Sequence, residues 1–354
     1  MTATEPDLSD LRTVADYRRR AAEVMPTPMF ESMFGTPEDT VGRTDAANRA
    51  AFDAIDLRPR VLVDVSEVSL ATTVLGERVE LPVMLAPVGG MTRVHPEAEL
   101  AAVRAAGSQG VAMAVSLAAN ISISEIIAEA KAPVWFQLYF LRDKEAIRRL
   151  VAHAEEVGCS AIVVTVDNPG LVIKDVSGGK KYVFGTIASL GLDEVMDGTT
   201  PLLPHIDPSF SWPDLEWLRS LTSLPLVIKG VRTGEDAALC REFGAAGIVL
   251  SNHGGHVVAD NRGTITRLPE IVEAAPELEI YLDSGVREGA DILKALALGA
   301  RAVLLGRALY WGLAVAGEPG LRGLLQVLRD ELETTMKFCG VTDVTRVERS
   351  AVTL

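Results

Sequence analysis

The sequence predicts a (β/α)8 barrel of the TIM type, and three features carry this prediction. Eight short runs recur from about residue 80 onward, and each is apolar almost throughout. Such runs are typical of parallel strands that are buried on both faces. Ala- and Leu-rich segments with helical periodicity separate the runs, and several of them end in Gly. Because the composition does not change along the eight units, one barrel is favoured over a doubly wound sheet, which rarely has eight equal units.

The predicted strands are regularly spaced, except for a gap of 63 residues between the starts of the fourth and the fifth. That gap holds a loop, residues 168–213, with Gly-Gly, Lys-Lys and several Pro residues. A loop of this length in a compact domain is usually an active-site cover or disordered, and we expect a lid. In chain order the strands are Pro82–Val88, Val111–Ser116, Val134–Phe140, Ala161–Asp167, Leu224–Gly230, Gly247–His253, Glu279–Gly285 and Ala302–Arg307.

The remaining segments flank the barrel. Residues 1–80 are expected to form a helical and extended segment that packs on a barrel spanning residues 81–354. Within this segment, a helix near Asp10–Val24 precedes a turn-rich stretch and extended pieces at residues 60–66 and 77–82. Residues Leu321–Gly340 have the pattern of a closing amphipathic helix.

The composition argues against several classes of protein. The 34 Lys and Arg residues and 48 Asp and Glu residues give a net charge of −14, which argues against binding to nucleic acid or to an anionic membrane. The three cysteines are far apart, so neither a disulfide framework nor a metal site is expected. The first residues lack the pattern of a signal peptide, and no apolar run is long enough to span a membrane. We therefore expect a soluble, cytoplasmic protein.

Polar residues gather at one end of the predicted strands. In a barrel of this type the active site lies where the strands end, at their carboxyl ends. A single polar residue at a strand end is common, but the third to the eighth runs all carry such residues at or near their ends, which predicts a functional site. These residues are Gln137, Tyr139, Thr165, Asp167, Lys229, Ser251, Asn252, His253, Asp283, Gly306 and Arg307.

Two of these side chains suggest chemistry. Lys229 emerges from the apolar run LPLVIKG, so it needs an anionic partner, either a structural carboxylate or an electron-rich cofactor. His253 precedes Gly254 and Gly255, which let a ligand approach the backbone. This placement favours a general base oriented by Asp167, and a buried structural histidine is the alternative.

Glycine-rich turns with arginine follow the seventh and eighth strands, in DSGVR (283–287) and LLGR (304–307). In barrels of this type the loops after these two strands commonly bind phosphate through backbone N–H groups and cations. The two turns together predict a phosphorylated cofactor. No GxGxxG motif opens a strand–helix unit, which argues against a Rossmann dinucleotide site.

At these residues the chain resembles the FMN-dependent 2-hydroxy acid oxidase and dehydrogenase family, which includes glycolate oxidase, lactate oxidase and mandelate dehydrogenase. The resemblance covers about residues 10 to 350 and runs through LPVMLAPVGG, HPEAE, FQLYF, LVIKGV, GIVLSNHGG, LDSGVR and KALALGARAVLLGR. The order and spacing of K-G-V, S-N-H-G and D-x-G-V-R are highly specific. SNHGG and GRALYWGLA are also similar to the pre-mycofactocin synthase branch.

The resemblance implies FMN as the cofactor and a role for each matching residue. His253 matches the base, Asp167 its partner, and Tyr139 the tyrosine that hydrogen-bonds the reacting oxygen. Lys229 matches the cation that faces flavin N1 and O2 and supports the reduced anion. The residues implied to bind FMN are Val88, Gly89, Ser116, Gln137, Thr165, Lys229, Ser251, Asp283, Gly285, Arg287, Gly306 and Arg307.

The substrate half of the site departs from the family pattern. Members carry an Arg three residues after the base, which clamps the substrate carboxylate, and here that position is His256. An imidazole does not reproduce a bidentate guanidinium contact. The family's N-terminal Tyr falls near Glu31, its large pocket aromatic at Ala118, and the Arg of the loop after the fourth strand at Lys174. A small 2-hydroxy acid therefore loses its main anchor, and we expect a bulkier or atypical substrate.

The leading hypothesis is an FMN-dependent oxidoreductase that removes hydride from a carbon bearing OH or NH, with O2 or a redox partner as electron acceptor. Three alternatives stay open: an ordinary 2-hydroxy acid oxidase with a rearranged carboxylate site, a non-redox FMN-dependent isomerase, and a scaffold protein that only binds FMN. The joint presence of Lys229, His253, Asp167 and Tyr139 argues against the scaffold. The resemblance implies a homotetramer, and we expect neither a membrane nor a nucleic acid as partner.

Overall fold

The computed structural model describes residues 7–169, 183–192 and 205–354, and these form a closed barrel of eight parallel strands. Two small antiparallel pairs, β1 with β12 and β2 with β3, lie outside the barrel, which β4 to β11 form. In chain order the strands are β1 (Asp56–Leu57), β2 (Thr72–Val74), β3 (Glu77–Val79), β4 (Val83–Leu85), β5 (Ala112–Ser116), β6 (Val134–Leu138), β7 (Ala161–Thr165), β8 (Leu226–Val231), β9 (Gly247–Leu250), β10 (Glu279–Leu282), β11 (Ala302–Leu305) and β12 (Val352–Thr353).

Strand pairing closes the barrel without leaving an edge. Neighbouring barrel strands are parallel, and β11 pairs with β4, with Val303 opposite Val83 and Leu305 opposite Leu85. Nearly all barrel-strand residues are buried, because one face of each strand packs inside the barrel and the other packs under the helices. The predicted (β/α)8 barrel is confirmed.

Helices connect the barrel strands and also form most of the N-terminal segment. The longest of them, α12, packs against both α1 and α4. The helices are α1 (Val14–Val24), α2 (Thr27–Phe34), α3 (Thr40–Asp53), α4 (Ala98–Gln109), α5 (Ile123–Glu129), α6 (Lys144–Val157), α7 (Gly185–Ser189), α8 (Trp212–Arg219), α9 (Gly234–Glu242), α10 (Leu268–Ala274), α11 (Gly289–Ala297) and α12 (Arg307–Cys339).

The N-terminal segment contains more helix than the sequence predicts. The turn-rich stretch after α1 forms α2 and α3, and residues 60–66, expected to be extended, lie in no strand. The first turn of α3 is capped by Asp39, whose carboxylate accepts a hydrogen bond from the Gly42 N–H at 2.8 Å. Gly42 and the β-branched Thr40 and Val41 have low helix propensity, which explains why this turn did not suggest a helix.

The long loop after β7 contains helix as well. Within residues 168–213, where the sequence predicts a loop without elements of its own, α7 forms a short helix and α8 begins at Trp212. The Gly185 N–H donates to the Ala119 carbonyl oxygen at 2.9 Å, so α7 is anchored to the segment that follows β5. Residues 170–182 and 193–204 of the predicted lid lie outside the described residues.

The C-terminal helix is longer than predicted. Helix α12 begins at Arg307, directly after β11, and the predicted range Leu321–Gly340 covers only its second half. The two halves meet at a kink, where Gly317 has a φ of +60°. The carboxyl end of β11 therefore leads straight into a helix N-terminus, which is a favourable place for an anion.

Candidate active site

The residues predicted to act in catalysis or to bind FMN lie together at the carboxyl end of the barrel, and every barrel strand contributes at least one. Some end a strand, and the others lie in the loop that follows it. Four of these residues lie within strands: Ser116 in β5, Gln137 in β6, Thr165 in β7 and Lys229 in β8. The others follow strands: Val88 and Gly89 after β4, Tyr139 after β6, Asp167 after β7, Ser251 and His253 after β9, Asp283, Gly285 and Arg287 after β10, and Gly306 and Arg307 after β11.

A row of hydrogen bonds joins three neighbouring strands at this end. The Ser116 hydroxyl donates to Gln137 Oε1 at 3.1 Å, and Gln137 Nε2 donates to Thr165 Oγ1 at 3.0 Å. The Leu117 N–H also donates to Gln137 Oε1, at 3.2 Å. The side chains of Ser116, Gln137 and Thr165 are all buried. Both the oxygen and the nitrogen of the Gln137 side-chain amide are held by these hydrogen bonds. The three side chains therefore present hydrogen-bond donors and acceptors in fixed positions, which suits the polar edge of a flat heterocycle.

Lys229 is a buried cation near the end of β8. Its Nζ donates to Ser251 Oγ at 3.0 Å and lies 3.3 Å from Asp283 Oδ2. Burial alone lowers the pKa of this ammonium group, but the carboxylates of Asp283 and Asp167 outweigh it and raise the pKa above its usual value. Lys229 therefore stays charged. An ammonium group has three donors, and Ser251 and Asp283 take two of them, which leaves one for a cofactor carbonyl oxygen.

His253 and Asp167 form a partly buried hydrogen-bonded pair. His253 Nδ1 lies 2.9 Å from Asp167 Oδ1. Burial disfavours the charged carboxyl group of Asp167, but the hydrogen bond from His253 and the charges of His253, Lys229 and Arg232 lower its pKa. An ionised carboxylate only accepts, so Nδ1 is the donor and Nε2 carries the lone pair of a base. The sequence-based pairing of these residues agrees with this geometry.

The backbone at His253 is strained. Its φ is +53°, in the left-handed region, which costs a residue other than Gly about 1–2 kcal/mol. Hydrogen bonds hold it there: the His253 N–H donates to Ser251 Oγ at 3.0 Å, and the Gly254 N–H donates to Asn252 Oδ1 at 3.2 Å. Strain of this kind persists where the surroundings fix the geometry, and it is common at active sites.

Tyr139 is a hydrogen-bond donor close to Asp167. Burial and the negative charge of Asp167 raise the pKa of the Tyr139 hydroxyl well above its usual value. The hydroxyl therefore stays protonated and can donate a hydrogen bond to a substrate oxygen.

Two arginines face each other after β10 and β11. Arg287 Nη2 donates to Asp45 Oδ1 at 2.9 Å, and Arg307 Nη1 lies 3.0 Å from the same oxygen. The Arg307 Nη1 group is buried and makes no hydrogen bond of standard geometry to the described residues. Burial and the charge of Arg307 lower the pKa of Arg287 to about 9. Two buried guanidinium groups with one shared carboxylate suit a phosphate group.

These groups fit FMN. The arginine pair matches the phosphate, the Gln137 row matches the polar edge of the flavin, and Lys229 matches its electron-rich carbonyl side. Gly285, in the loop after β10, has a φ of +100°, and a Cβ added there would lie 2.9 Å from Asn48 Cβ. When bound, FMN supplies the ring that accepts hydride. Every FMN-binding role named for an individual residue stays a prediction.

The predicted substrate residues are less closely grouped. His256 follows the His253 turn and is exposed as a residue, yet desolvation of its ring together with the charges of His253 and Arg307 lowers its pKa to about 4. Its imidazole is therefore uncharged at neutral pH. Glu31 lies on α2 with an exposed side chain. Lys174 lies outside the described residues. Ala118 faces Gly89, where an added Cβ would lie only 2.8 Å from the Ala118 Cβ.

Several residues that shape the site had no signal in the sequence. Asp45 and Asn48 reach it from α3, which was not predicted. The Tyr310 hydroxyl donates to the Gly89 carbonyl oxygen, and the apolar pattern around Tyr310 gives no sign of this contact. Arg232 follows β8, and its charge reaches Asp167. Arg232 lies just after the predicted strand Leu224–Gly230, where the polar residues of the other strands were singled out, and this position could have identified it.

The described part of the chain offers neither a metal site nor a membrane-spanning helix. No group of three or more His, Cys, Asp or Glu side chains there is placed to hold a metal ion. The helices described include none that is both long and apolar enough to cross a membrane.

Comparison with known proteins identifies relatives along nearly the whole chain. The family model for FMN-dependent dehydrogenase matches residues 21–354. Glycolate oxidase 3 of Oryza sativa subsp. indica is 40% identical over 355 residues, which cover 97% of this chain and 96% of that protein. Glycolate oxidase of Spinacia oleracea is 37% identical, also over 97% of this chain and 96% of its own.

Solved structures agree with the sequence relatives. A structure of mandelate oxidase has a TM-score of 0.84 at 36% identity, covering 96% of this chain and 97% of its own. A soluble mutant of the membrane-associated (S)-mandelate dehydrogenase from Pseudomonas putida has a TM-score of 0.86 at 33% identity, covering 97% of this chain and 99% of its own. The predicted family, enzyme class and cofactor are confirmed. The chain belongs to the FMN-dependent dehydrogenase family and is an FMN-dependent oxidoreductase of the 2-hydroxy acid oxidase and dehydrogenase type.

Proposed function

We propose that this enzyme acts on a substrate bulkier than glycolate or lactate, at a carbon that bears OH or NH. The observation that carries the proposal is His256, at the position where the family's Arg clamps the substrate carboxylate. Its pKa of about 4 leaves the imidazole uncharged at neutral pH. A small 2-hydroxy acid has few contacts besides its carboxylate, so it depends most on the missing cation.

His253 and its neighbours supply the proton chemistry. Nε2 of His253 accepts the proton from the substrate OH or NH, and Asp167 holds the ring through Nδ1 and stabilises the charge that the ring gains. The Tyr139 hydroxyl stays protonated and orients the reacting oxygen. Lys229 keeps a positive charge, which would stabilise the negative charge of a reduced flavin bound beside it.

Small residues at the mouth of the barrel support a larger substrate. Gly89 and Ala118 face each other there, where the family has a large aromatic in the pocket at the second of these positions. A variant of one relative, mandelate oxidase, has been solved with 2-hydroxy-phenylacetamide, which carries an amide in place of a carboxylate. We take 2-hydroxy acids with a large side chain, and their uncharged carboxyl derivatives, as the substrate class.

An ordinary 2-hydroxy acid is the second candidate, and Arg232 favours it. This arginine follows β8, its side chain is about 24% exposed, and its charge acts on Asp167. Its ion pair with Asp260, at 3.7 Å, is long, so the guanidinium group is not firmly held by that partner. If Arg232 binds the substrate carboxylate in place of the missing arginine, we expect wild type to use lactate well and Arg232→Leu to raise the KM for lactate.

Steady-state kinetics on glycolate, lactate, mandelate and mandelamide tests the proposal. We expect wild type to use the two small acids poorly. His256→Arg restores the guanidinium group that clamps the carboxylate and should raise kcat/KM for lactate by at least about tenfold, since removing one partner of a buried charge pair typically costs about 2–5 kcal/mol. His256→Gln, which stays neutral, is the matched control and should give no gain.

The carboxylate of Glu31 should limit this gain. Glu31, near the position of the family's Tyr, carries a charge that can pair with a new arginine, so His256→Arg with Glu31→Tyr should exceed His256→Arg alone. Ordinary efficiency of wild type on glycolate and lactate, with no gain in either variant, would show that the missing clamp does not set the substrate.

A further inference from the structure

An aspartate occupies the centre of the predicted phosphate site. Asp45 lies on α3, and its Oδ1 accepts a hydrogen bond from Arg287 Nη2 at 2.9 Å. The same oxygen lies 3.0 Å from Arg307 Nη1. All three side chains are largely buried, with exposed fractions of 21% for Asp45, 16% for Arg287 and 10% for Arg307. One carboxylate oxygen therefore lies against both of the cations that match the FMN phosphate, although only Arg287 donates a hydrogen bond to it.

The charges around this oxygen do not balance. Arg287 and Arg307 carry two positive charges, and Asp45 supplies one negative charge. Arg49, next to Arg287, is already paired with Asp291. Burial, and after it the charge of Arg307, lower the pKa of Arg287, although the carboxylates of Asp45 and Asp291 act in the opposite direction. A phosphate group, with a charge of about −2, neutralises the two arginines without Asp45.

Helix α3 holds Asp45 in place from both sides. One residue earlier, Thr44 packs against Gly255, where an added Cβ would lie 2.7 Å from the Thr44 Cβ. Three residues later, the amides of Asn48 and Asn252 exchange hydrogen bonds at 2.9 and 3.3 Å, and both are fully buried. The backbone of Asp45 is therefore fixed next to the arginines, and only its side-chain torsions are free to move the carboxylate.

We propose that Asp45 competes with the FMN phosphate for Arg287 and Arg307. In the absence of FMN the carboxylate neutralises part of the arginine charge and stabilises the site. When FMN binds, its phosphate takes over both guanidinium groups, and Asp45 is left as an unpaired negative charge close to a dianion. Asp45 thus weakens the hold on the cofactor and makes FMN release easier. The inference depends on the cofactor, not on the identity of the substrate.

Flavin release from the holoenzyme tests this directly. Free flavin is fluorescent, so dilution of holoenzyme reports both the rate of release and the dissociation constant. We expect Asp45→Asn, which keeps the shape and removes the charge, to bind FMN at least about tenfold more tightly than wild type, mainly through slower release. Riboflavin lacks the phosphate, so its dissociation constant, measured after exchange into the same proteins, should change by less than about twofold.

Asp53→Asn is the matched control, because Asp53 lies on the same helix, pairs with Arg49 and has an exposed side chain. This control should leave FMN affinity unchanged. Inorganic phosphate gives a second measurement, since it should raise the melting temperature of flavin-free Asp45→Asn more than that of flavin-free wild type. Unchanged or weaker FMN binding in Asp45→Asn, or equal tightening for riboflavin, would overturn the proposal and show that Asp45 merely orders the arginines or the helix.

Discussion

His253 combines the properties that a general base requires. Asp167 fixes its Nδ1 as a donor, the Ser251 hydroxyl holds its N–H, and its left-handed backbone points the ring out of a tight turn. A histidine with only a packing role in the core would need neither these hydrogen bonds nor a left-handed backbone. The strain at His253 is therefore explained by positioning of the ring, as at other active sites.

Replacing this base should separate chemistry from cofactor binding. We expect His253→Ala to lower the rate of flavin reduction by substrate by about 10²–10⁴-fold, because the base acts in the proton-transfer step. FMN content should stay at the wild-type level, since the phosphate and flavin contacts come from other residues. Stopped-flow reduction and flavin content of the purified variant give the two readouts. His153→Ala, a change on helix α6, serves as the control. Joint loss of FMN and activity would show that His253 is structural.

The charge state of His256 predicts how stability changes with pH. Folding lowers the pKa of this imidazole from 6.5 to about 4, so between these values the unfolded chain binds a proton that the folded chain does not. The stabilising contribution of neutral His256 is complete above pH 6.5 and is lost as the pH falls towards 4. Between about pH 7 and pH 5, the melting temperature of wild type should therefore fall more than that of His256→Gln. Parallel curves for the two proteins would contradict a neutral His256.

Residues within strand-end motifs could be predicted from the sequence, and residues that reach the site from elsewhere could not. Lys229 stood out because a charged residue followed four apolar ones, and His253 because two glycines followed it. Asp45 has no such context: it lies in a polar, alanine-rich stretch, and its role depends on where α3 docks. A contact between residues 45 and 307 is set by tertiary structure alone.

At the scale of elements, the docking of α3 onto the loop after β9 is the main feature that positions the site. Asn48 on α3 and Asn252, next to the base, exchange hydrogen bonds in a fully buried position. Asn48 Oδ1 also accepts from the Thr264 N–H at 3.2 Å. One amide therefore ties the N-terminal segment to two points in the connection between β9 and α10.

Removing this amide should loosen the turn that carries the base. Asn48→Ala leaves the Asn252 amide nitrogen and the Thr264 N–H without their acceptor, which typically costs about 1–3 kcal/mol for each buried group. We expect a lower free energy of unfolding by at least about 1 kcal/mol, together with slower flavin reduction, because the neighbouring His253 is less firmly held. Chemical denaturation and stopped-flow reduction measure the two effects. A stable variant with normal reduction kinetics would show that α3 docking does not position the base.

The barrel elements were predictable because their signals are strong, and the N-terminal helices were not because theirs are weak. β5, β6 and β7 each have five buried residues in a row, a pattern that few other elements share. Helix α3 has Thr, Val and Gly in its first turn, and α2 begins beside a proline. Such residues are typical of turns, and tertiary packing overrides their preference here.

At the scale of the whole molecule, the groups that fit FMN and the residues expected to choose the substrate come from different sets of elements. Strands β5 to β8 and the arginines after β10 and β11 hold groups that fit FMN, whereas His256 and Glu31, the described residues predicted to set the substrate, lie after β9 and on α2. Residues that contact the substrate can therefore be replaced without loss of the residues that bind FMN. The predicted homotetramer, electron acceptor and cytoplasmic location stay predictions.

Anaerobic reduction of the bound flavin, followed by the loss of its absorbance, tests the central claim most directly. The substrates are glycolate, lactate, mandelate and mandelamide, which differ in size and in carboxylate charge. We expect mandelate or mandelamide to reduce the flavin of wild type at least about tenfold more efficiently than glycolate or lactate, and His256→Arg to narrow that difference. Equal or faster reduction of wild type by glycolate or lactate would contradict a site built for a bulkier substrate without the arginine clamp.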